Sequence, residues 1–456
     1  MTHRFHPSIL RDYDIRGTVG ETLFERDAYA FGRSFATRVR RSGGRRVAVG
    51  RDGRVSSPML KAALVAGLTD SGVDVVRVGL GPSPMLYFAE ATLAVDAGVQ
   101  VTGSHNPGGD NGFKLVLAHD SFFGDDVRDL ARLAESGDWE EGAGTVTDAA
   151  VMEDYVARLL AGHTGGTFRI GWDAGNGAAG PAIKRLTKAL PGEHHLLYTE
   201  VDGAFPHHHP DPTIPANLAD LIALVRRERL DIGFAFDGDG DRIGAVDSRG
   251  RIVWGDQILA LLAEPLLLEL PGAAIVADVK SSDALFDRVR ALGGRAVMAK
   301  SGHSQIKARM KAEGAAIGAE LSGHIFFAHG YYGFDDALYA AVRLIGAIHQ
   351  SGMSLAELID RLPATHASPE LRIAVPEDRR LAIVEEVRAR IVASGARVDE
   401  TDGLRVSTPD GWWLLRASNT QAAITLRAEA TDETGLQRLL DTIDRQLALS
   451  GVSRAA

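Results

Sequence analysis

A chain of 456 residues is longer than one ordinary domain, and at roughly 100 to 200 residues per domain it is expected to divide into three or four. Its 45% hydrophobic and 24% charged residues are those of a soluble globular protein, and a formal charge of −10 argues against nucleic acid or anionic lipid as partners while leaving room for a small anion in a local basic pocket. The absence of cysteine excludes disulfides, thiolate metal sites and cysteine nucleophiles.

The opening "MTHRFHPSIL" lacks the apolar core of a signal peptide. The most apolar stretch, "QILALLAEPLLLEL", is broken by Glu264, Pro265 and Glu269, so no membrane segment is expected and the chain reads as cytoplasmic. Three short apolar runs look alike: "VAVGRDGR" (47 to 54), "FRIGWDAGNG" (168 to 177) and "AAIVADVKSS" (273 to 282). Each reads as a buried strand reaching an aspartate (Asp52, Asp173, Asp278), then a polar loop, then a helix, as in a parallel sheet. The expectation is three similar α/β domains in tandem.

Between the first two runs lies "VTGSHNPGGDNGFK" (101 to 114). Ser104 reads either as a turn-former or as a nucleophile, and taken alone the turn is the simpler reading. Adjacency to His105 is no evidence of a dyad, because neighbouring side chains point to opposite sides in extended chain, and the histidine reads equally as structural. Gly103, Gly108, Gly109 and Gly112 permit backbone N–H groups to converge on an anion, and Lys114 adds a mobile cation. "SGDWEEGAGTVTD" (136 to 148), followed by the helical pattern "AAVMEDYVARLLAG", marks a boundary near 147.

The triple "HHH" (207 to 209) sits in a proline-rich connection without other ligands and reads as structural rather than metal-binding. "FAFDGDGDRIGAV" then places Asp237, Asp239 and Asp241 at alternate positions after an apolar strand. Three carboxylates so close repel one another unless a cation sits among them, and an oxygen-only set suits Mg²⁺. An EF-hand is excluded because Arg242 and Ser248 occupy the positions that need glycine and a bidentate glutamate. Arg242 brings a guanidinium to the same loop, which suits a phosphate bridging it to the metal.

The turn "DSRG" (247 to 250), before an amphipathic stretch near Trp254, marks a second boundary, and "PATHASPE" (363 to 370) a third. In "ELSGH" (320 to 324) a carboxylate, a hydroxyl and an imidazole together suit sugar hydroxyls, with helix capping by Ser322 as the plain alternative. The last part alternates "LRIAVPE", "GLRVSTPDGWWLLRAS" and "AAITLRAEA", then ends in a helix with Leu436, Leu439, Leu440, Ile443 and Leu447 on one face. It reads as a smaller α+β domain, whose "RASNT" offers a guanidinium fork, two hydroxyls and an amide to a phosphate dianion. The expected domains are 1–147, 148–250, 251–363 and 364–456.

"TGSHNP" with "NGFK", and then "DGDGDR", resemble the motifs of the α-D-phosphohexomutase superfamily, in its bacterial phosphomannomutase/phosphoglucomutase branch. "YDIRGTVGETL" (13 to 23), "VGRDGR" (49 to 54), "EVDGAFPHHHPDP" (200 to 212), "AELSGHIFF" (319 to 327) and "RASNTQAAITLRAE" (416 to 429) follow in that family's order over nearly the whole chain. The resemblance implies an α/β fold of three similar mixed-sheet domains and a smaller α+β domain, the four surrounding a central cleft. It implies that Ser104 carries a phosphate, and that Asp237, Asp239 and Asp241 hold Mg²⁺ together with the phosphate on Ser104. Glu320, Ser322 and His324 would contact the sugar. Arg416, Ser418, Asn419, Thr420 and Gln421 would grip the phosphate not being transferred, with Tyr13 and Arg16 lining the same cleft. Lys114, Arg242 and His303 would serve the chemistry.

The implied reaction interconverts hexose 6-phosphate and hexose 1-phosphate of mannose and glucose through a hexose 1,6-bisphosphate that turns round in the cleft, with glucose 1,6-bisphosphate as activator. Hexose phosphates are the expected partners, and the chain is expected as a monomer or weak homodimer. Ala319 stands where the family usually has glycine, which leaves hexose preference less settled than reaction type. The alternatives are a phosphoglucosamine mutase of the same superfamily, a haloacid-dehalogenase-like phosphotransferase using Asp237 as nucleophile, and a sugar-phosphate binder without turnover.

Overall fold

The computed structural model describes residues 2–11, 13–418 and 422–454. Each of the three look-alike runs is a strand with a parallel neighbour on both sides. Arg46–Arg51 lies between Asp74–Leu80 and Ala97–Val101, Phe168–Asp173 between Gly192–Leu197 and Ile232–Phe236, and Ala274–Asp278 between Arg295–Ala299 and Ile317–Ala319. In every case the third strand of the trio then pairs antiparallel with the next strand in the chain: Asp110–Leu117, Ile243–Asp247 and Ile325–Phe327. The sheets are therefore mixed, and the three units repeat one topology. Val47, Val49, Ile170, Val276 and their neighbours are buried, as strands covered on both faces require.

That repeat positions the site. The turn joining the parallel strand to its antiparallel return holds the serine loop in the first unit, the aspartate loop in the second and "ELSGH" in the third. The aspartates at the ends of the flanking strands fasten two of these turns. Asp52 Oδ2 accepts from Gly103 N at 3.2 Å and Thr102 Oγ1 at 2.8 Å, and Asp278 Oδ1 accepts from Leu321 N at 3.2 Å.

One hydrophobic cluster runs from Leu86 through Tyr155 and Trp172 to Leu262 and Tyr339, so the first three units share a core. The fourth is an antiparallel sheet covered by helices Arg380–Ala393 and Glu433–Ala448, with its own core around Val387, Trp413 and Leu426. Leu439, Ile443 and Leu447 of the last helix are buried in that core, and Leu436 and Leu440 pack against it. The fourth unit docks on the third through Arg405, which lies over the Trp412 ring at 3.7 Å and donates to Val279 O at 2.6 Å. Pro265 falls inside helix Gly255–Glu269, and no helix among the described residues is long and apolar enough to cross a membrane.

Candidate active site

Ser104 is buried and sits at φ +50°, in the left-handed region, at the start of its turn. Its backbone N–H donates to Thr102 Oγ1 at 2.8 Å, and its hydroxyl donates to Asp237 Oδ2 at 2.9 Å. The left-handed turn also corrects one expectation. His105 does not diverge, and its Nδ1 lies 3.2 Å from Ser104 Oγ, because Ser104 is not extended. Two of the four loop glycines serve packing rather than an anion. Gly103 N–H is taken by Asp52, Gly112 N–H by Asn111 Oδ1, and a Cβ on Gly112 would stand 1.9 Å from Ile15 O.

The side chain that holds the serine loop is Arg54, unnoticed in the sequence reading. Its Nη2 donates to Ser104 O at 2.7 Å and Asn106 O at 2.6 Å, and its Nη1 to Pro107 O at 2.5 Å and Asp110 O at 2.9 Å. Four carbonyls of one turn, that of Ser104 buried, thus accept from one planar guanidinium. Arg16 braces the loop from another side, donating to Asn106 Oδ1 at 2.9 Å and to Asp14 Oδ2 at 2.6 Å.

Asp237, Asp239 and Asp241 are fully buried, and a carboxylate oxygen from each lies within 4.8 Å of the others. Asp237 Oδ1 accepts from the backbone N–H of Asp241 and Arg242, leaving Oδ2 to Ser104. Asp239 Oδ1 and Asp241 Oδ1 have no hydrogen-bond partner among the described residues. Orphaned, buried, oxygen-only donors in one cluster fit a hard divalent cation such as Mg²⁺. Asp241, His324 and Asp335 form a second close group, but its imidazole is already engaged by Arg242.

Lys114 Nζ donates to Asp239 Oδ2 at 2.7 Å and to Asp241. Burial opposes its charge, yet the two carboxylates outweigh burial and hold its pKa well above the ordinary lysine value. Burial, with Asp239 and Asp241 nearby, pushes the Asp237 carboxyl well up. Burial opposes ionisation of Asp239 too, but Lys114 prevails and holds it down.

Arg242 Nε donates to His324 Nε2 at 3.0 Å, which places the His324 proton on Nδ1, 2.8 Å from Asp335 Oδ2. Burial also opposes the Asp335 charge, but Lys307 and His324 keep its pKa well below the carboxylate range. His303 opens helix His303–Glu313 and packs edge-on to Tyr13, ring centroids 6.0 Å apart. Burial, reinforced by Lys307, drives its pKa well below the ordinary histidine value, and its Nε2 has no hydrogen-bond partner among the described residues. Tyr13 Oη donates to Ser301 O at 2.9 Å, and Gly302 N–H donates to Glu320 Oε1 at 2.5 Å. Ser322 lies on the same turn, half-buried, between Glu320 and His324.

From the fourth unit, Arg416 Nε lies 2.9 Å from Asp402 Oδ2, and Ser418 is buried beside it in the chain. Asn419, Thr420 and Gln421 lie outside the described residues. Lys280 was also missed by the sequence reading. It is half-buried, with Nζ 3.1 Å from Glu370 and 3.6 Å from Asp278, and its charge feels Glu320 and Arg416. Its only signal was its place just beyond the third strand-end aspartate. Ser104, Lys114, Asp237, Asp239, Asp241, Arg242, His324, His303 and Tyr13 thus form one set of contacts across the first three units, and Arg416 of the fourth joins it through Asp402 and Ser301.

The "HHH" triple lies outside this set. His207 stacks on Tyr198 with centroids 3.9 Å apart, and His208 Nε2 lies 3.0 Å from Asp173 Oδ2.

Four family models match in succession. They are the phosphoglucomutase/phosphomannomutase alpha/beta/alpha domains I (residues 8–139), II (153–250) and III (254–366) and the C-terminal domain (370–446). A phosphomannomutase/phosphoglucomutase of Pseudomonas putida is 42% identical over 441 residues, covering 96% of this chain and 95% of that one. The crystal structure of a phosphoglucomutase/phosphomannomutase family protein from Burkholderia thailandensis superposes with a TM-score of 0.93 at 42% identity, covering 99% of both chains. An Aspergillus fumigatus N-acetylphosphoglucosamine mutase, described in complex with GlcNAc-6P and magnesium, shares the fold at 14% identity with a TM-score of 0.65, covering 98% of this chain and 97% of that one. The chain belongs to the phosphoglucomutase/phosphomannomutase family and is an enzyme of the α-D-phosphohexomutase superfamily.

Proposed function

We propose that Ser104 is the phosphorylated residue of a mutase that interconverts the 6- and 1-phosphates of glucose and mannose. The observation that carries this is the buried Ser104 hydroxyl, held in a left-handed turn and donating to Asp237 at 2.9 Å. The phosphoryl group on Ser104 Oγ passes to the free hydroxyl of a hexose monophosphate. The Oγ–P bond breaks, a P–O bond to the sugar forms, the hydroxyl proton leaves to a base, and Ser104 Oγ regains a proton. The bisphosphate turns round, and its other phosphate returns to Oγ by the reverse step.

His303 is our base, because burial keeps its imidazole neutral and Nε2 is uncommitted. Lys114, held as an ammonium by Asp239 and Asp241, offsets charge near Oγ, as does Arg242. Asp237, Asp239 and Asp241, with the phosphate on Ser104, would hold Mg²⁺, which supplies positive charge to the transferring oxygens. The fungal relative's magnesium complex agrees with that choice. Glu320, Ser322 and His324 grip the sugar, and Tyr13 and Arg16 line the cleft. Arg416, Ser418, Asn419, Thr420 and Gln421 take the other phosphate. The domain division is that of the sequence reading, at 147, 250 and 363. Glucose 1,6-bisphosphate primes the serine, and the protein works in the cytoplasm as a monomer or weak homodimer.

Incubation with glucose 1,6-bisphosphate should leave an acid-stable phosphate that maps to Ser104. A hydroxylamine-labile phosphate on Asp237 would instead establish aspartyl chemistry, and absence of turnover in phosphorylated protein would indicate a binder. Parallel assays with glucose, mannose and glucosamine phosphates fix the hexose branch.

A further inference from the structure

Ser301 and Gly302, the residues just before His303, are gripped from every side. Ser301 O accepts from Tyr13 Oη at 2.9 Å, Ser301 Oγ donates to Asp278 Oδ2 at 3.0 Å, and Gly302 N–H donates to Glu320. The remaining contact comes from the fourth unit, where Asp402 Oδ2 accepts the Ser301 N–H at 3.1 Å. The same oxygen stands 2.9 Å from Arg416 Nε. One carboxylate oxygen therefore bridges the guanidinium that meets the phosphate and the backbone that carries the imidazole.

Its placement is fixed by the chain. Gly403 has φ +80°, and a Cβ there would lie 2.5 Å from Leu415 O and 2.8 Å from Arg416 Cα. The Asp402–Gly403 turn thus lies flat on the strand that bears Arg416, and the carboxylate cannot move apart from it. With side chains 13% and 8% exposed, Asp402 and Arg416 are sheltered enough that their attraction is not screened as a surface ion pair would be.

We propose that Asp402 is a positioning residue of the mutase, which ties the place of His303 to the phosphate grip of Arg416. This rests on the roles proposed above for Arg416 and His303. The carboxylate charge 2.9 Å from Nε holds the guanidinium beside the Asp402–Gly403 turn and so sets where its N–H groups meet a phosphate. Acceptance of the Ser301 N–H fixes a peptide two residues before the imidazole, where a displacement of about 1 Å costs up to roughly 10²-fold in rate.

The two functions of the one oxygen separate by substitution. Asp402→Asn keeps an oxygen acceptor for Ser301 and loses the charge facing Arg416, so KM for glucose 1-phosphate should rise about tenfold with kcat within about threefold of the unaltered enzyme. Asp402→Ala loses both, and kcat should fall a further 10- to 100-fold or so. Asp402→Glu keeps the charge but moves the acceptor, and should show the mirror image: a reduced kcat with KM closer to the unaltered value. If the alanine variant does not fold, the contrast between asparagine and glutamate still decides. Parallel shifts of kcat and KM in all folded variants, or no shift in any, would overturn the proposal. Arg416→Ala and His303→Gln, assayed alongside, separate the two failures. If the first leaves KM unchanged or the second leaves kcat unchanged, the underlying roles fall, and the coupling with them.

Discussion

Gly238 meets Ser104 backbone to backbone: a Cβ at Gly238 would lie 2.3 Å from Ser104 O. The aspartate loop and the serine loop, contributed by different units, are thus in contact through a position where no side chain fits. Gly238→Ala must push the two loops apart, because neither clashing atom belongs to a flexible side chain. Overpacking of this kind costs about 1–3 kcal/mol of stability. The larger effect is expected on catalysis, with kcat falling by about 10²-fold for a displacement near 1 Å. Thermal unfolding and kcat measured on the same preparation check both.

The serine turn is also predicted to depend on Arg54. Truncation to methionine removes the donors that hold the carbonyls of Ser104, Asn106, Pro107 and Asp110 together, and strands Ser104 O in a buried setting. Each unsatisfied buried acceptor costs about 1–3 kcal/mol, and these are not additive because the turn relaxes as one. Lysine should not rescue, since an ammonium has three donors and no planar fork. The expected result is loss of phosphate incorporation at Ser104 in both Arg54→Met and Arg54→Lys, read by intact-mass measurement after incubation with glucose 1,6-bisphosphate.

Chelation should abolish turnover, and Mg²⁺ should restore it. A cation bound to the folded state alone also raises stability, by about 2.7 kcal/mol at 100 times its Kd. Addition of Mg²⁺ should therefore raise Tm of the unaltered protein and leave Tm of an Asp239→Ala, Asp241→Ala double variant unmoved. Equal responses in both would place the cation elsewhere.

The parts of this site that were legible in the sequence share a physical character. Ser104, the three aspartates and "ELSGH" lie in short runs where unlike polar groups crowd a turn after an apolar strand, and such crowding needs a ligand to explain it. The strand-end aspartates Asp52 and Asp278 were legible as a repeat, though their work of tying down Gly103 and Leu321 was not. Arg54, Lys280, Asp335 and Asp402 escaped notice because their partners are backbone carbonyls, a backbone N–H or side chains brought near only by the fold. Asp402, for example, reaches Ser301 across 101 residues of chain. His105 was set aside through an assumption of extended backbone that the left-handed Ser104 breaks.

His208 gives a prediction with a defined pH direction. Burial opposes its protonation, but the hydrogen bond to Asp173 outweighs burial and raises its pKa above the ordinary value of 6.5. A folded-state pKa above the unfolded one means that folding takes up a proton in the interval between them. The stabilisation is complete below the unfolded value and is lost as pH rises through the folded one. Tm should therefore decline from about pH 6 upward through neutrality in the unaltered protein, and the decline should be shallower in His208→Gln. Identical pH profiles would show that Asp173 gains nothing from the imidazolium.

The choice of His303 over Lys114 as base predicts the acid limb of the rate profile. A base must be unprotonated to accept the hydroxyl proton, and burial beside Lys307 pushes the His303 pKa well below 6.5. At saturating substrate, kcat should therefore hold level from pH 8 down through about 6, with no inflection at the ordinary histidine value. Lys114, held as an ammonium by Asp239 and Asp241, would give the opposite shape, since its active fraction as a base would grow with every unit of rising pH. His303→Gln removes the acceptor and should lower kcat by about 10²–10⁴-fold with little change in KM. A kcat that climbs steadily with pH in the unaltered enzyme, together with a mild effect of His303→Gln, would transfer the role to Lys114.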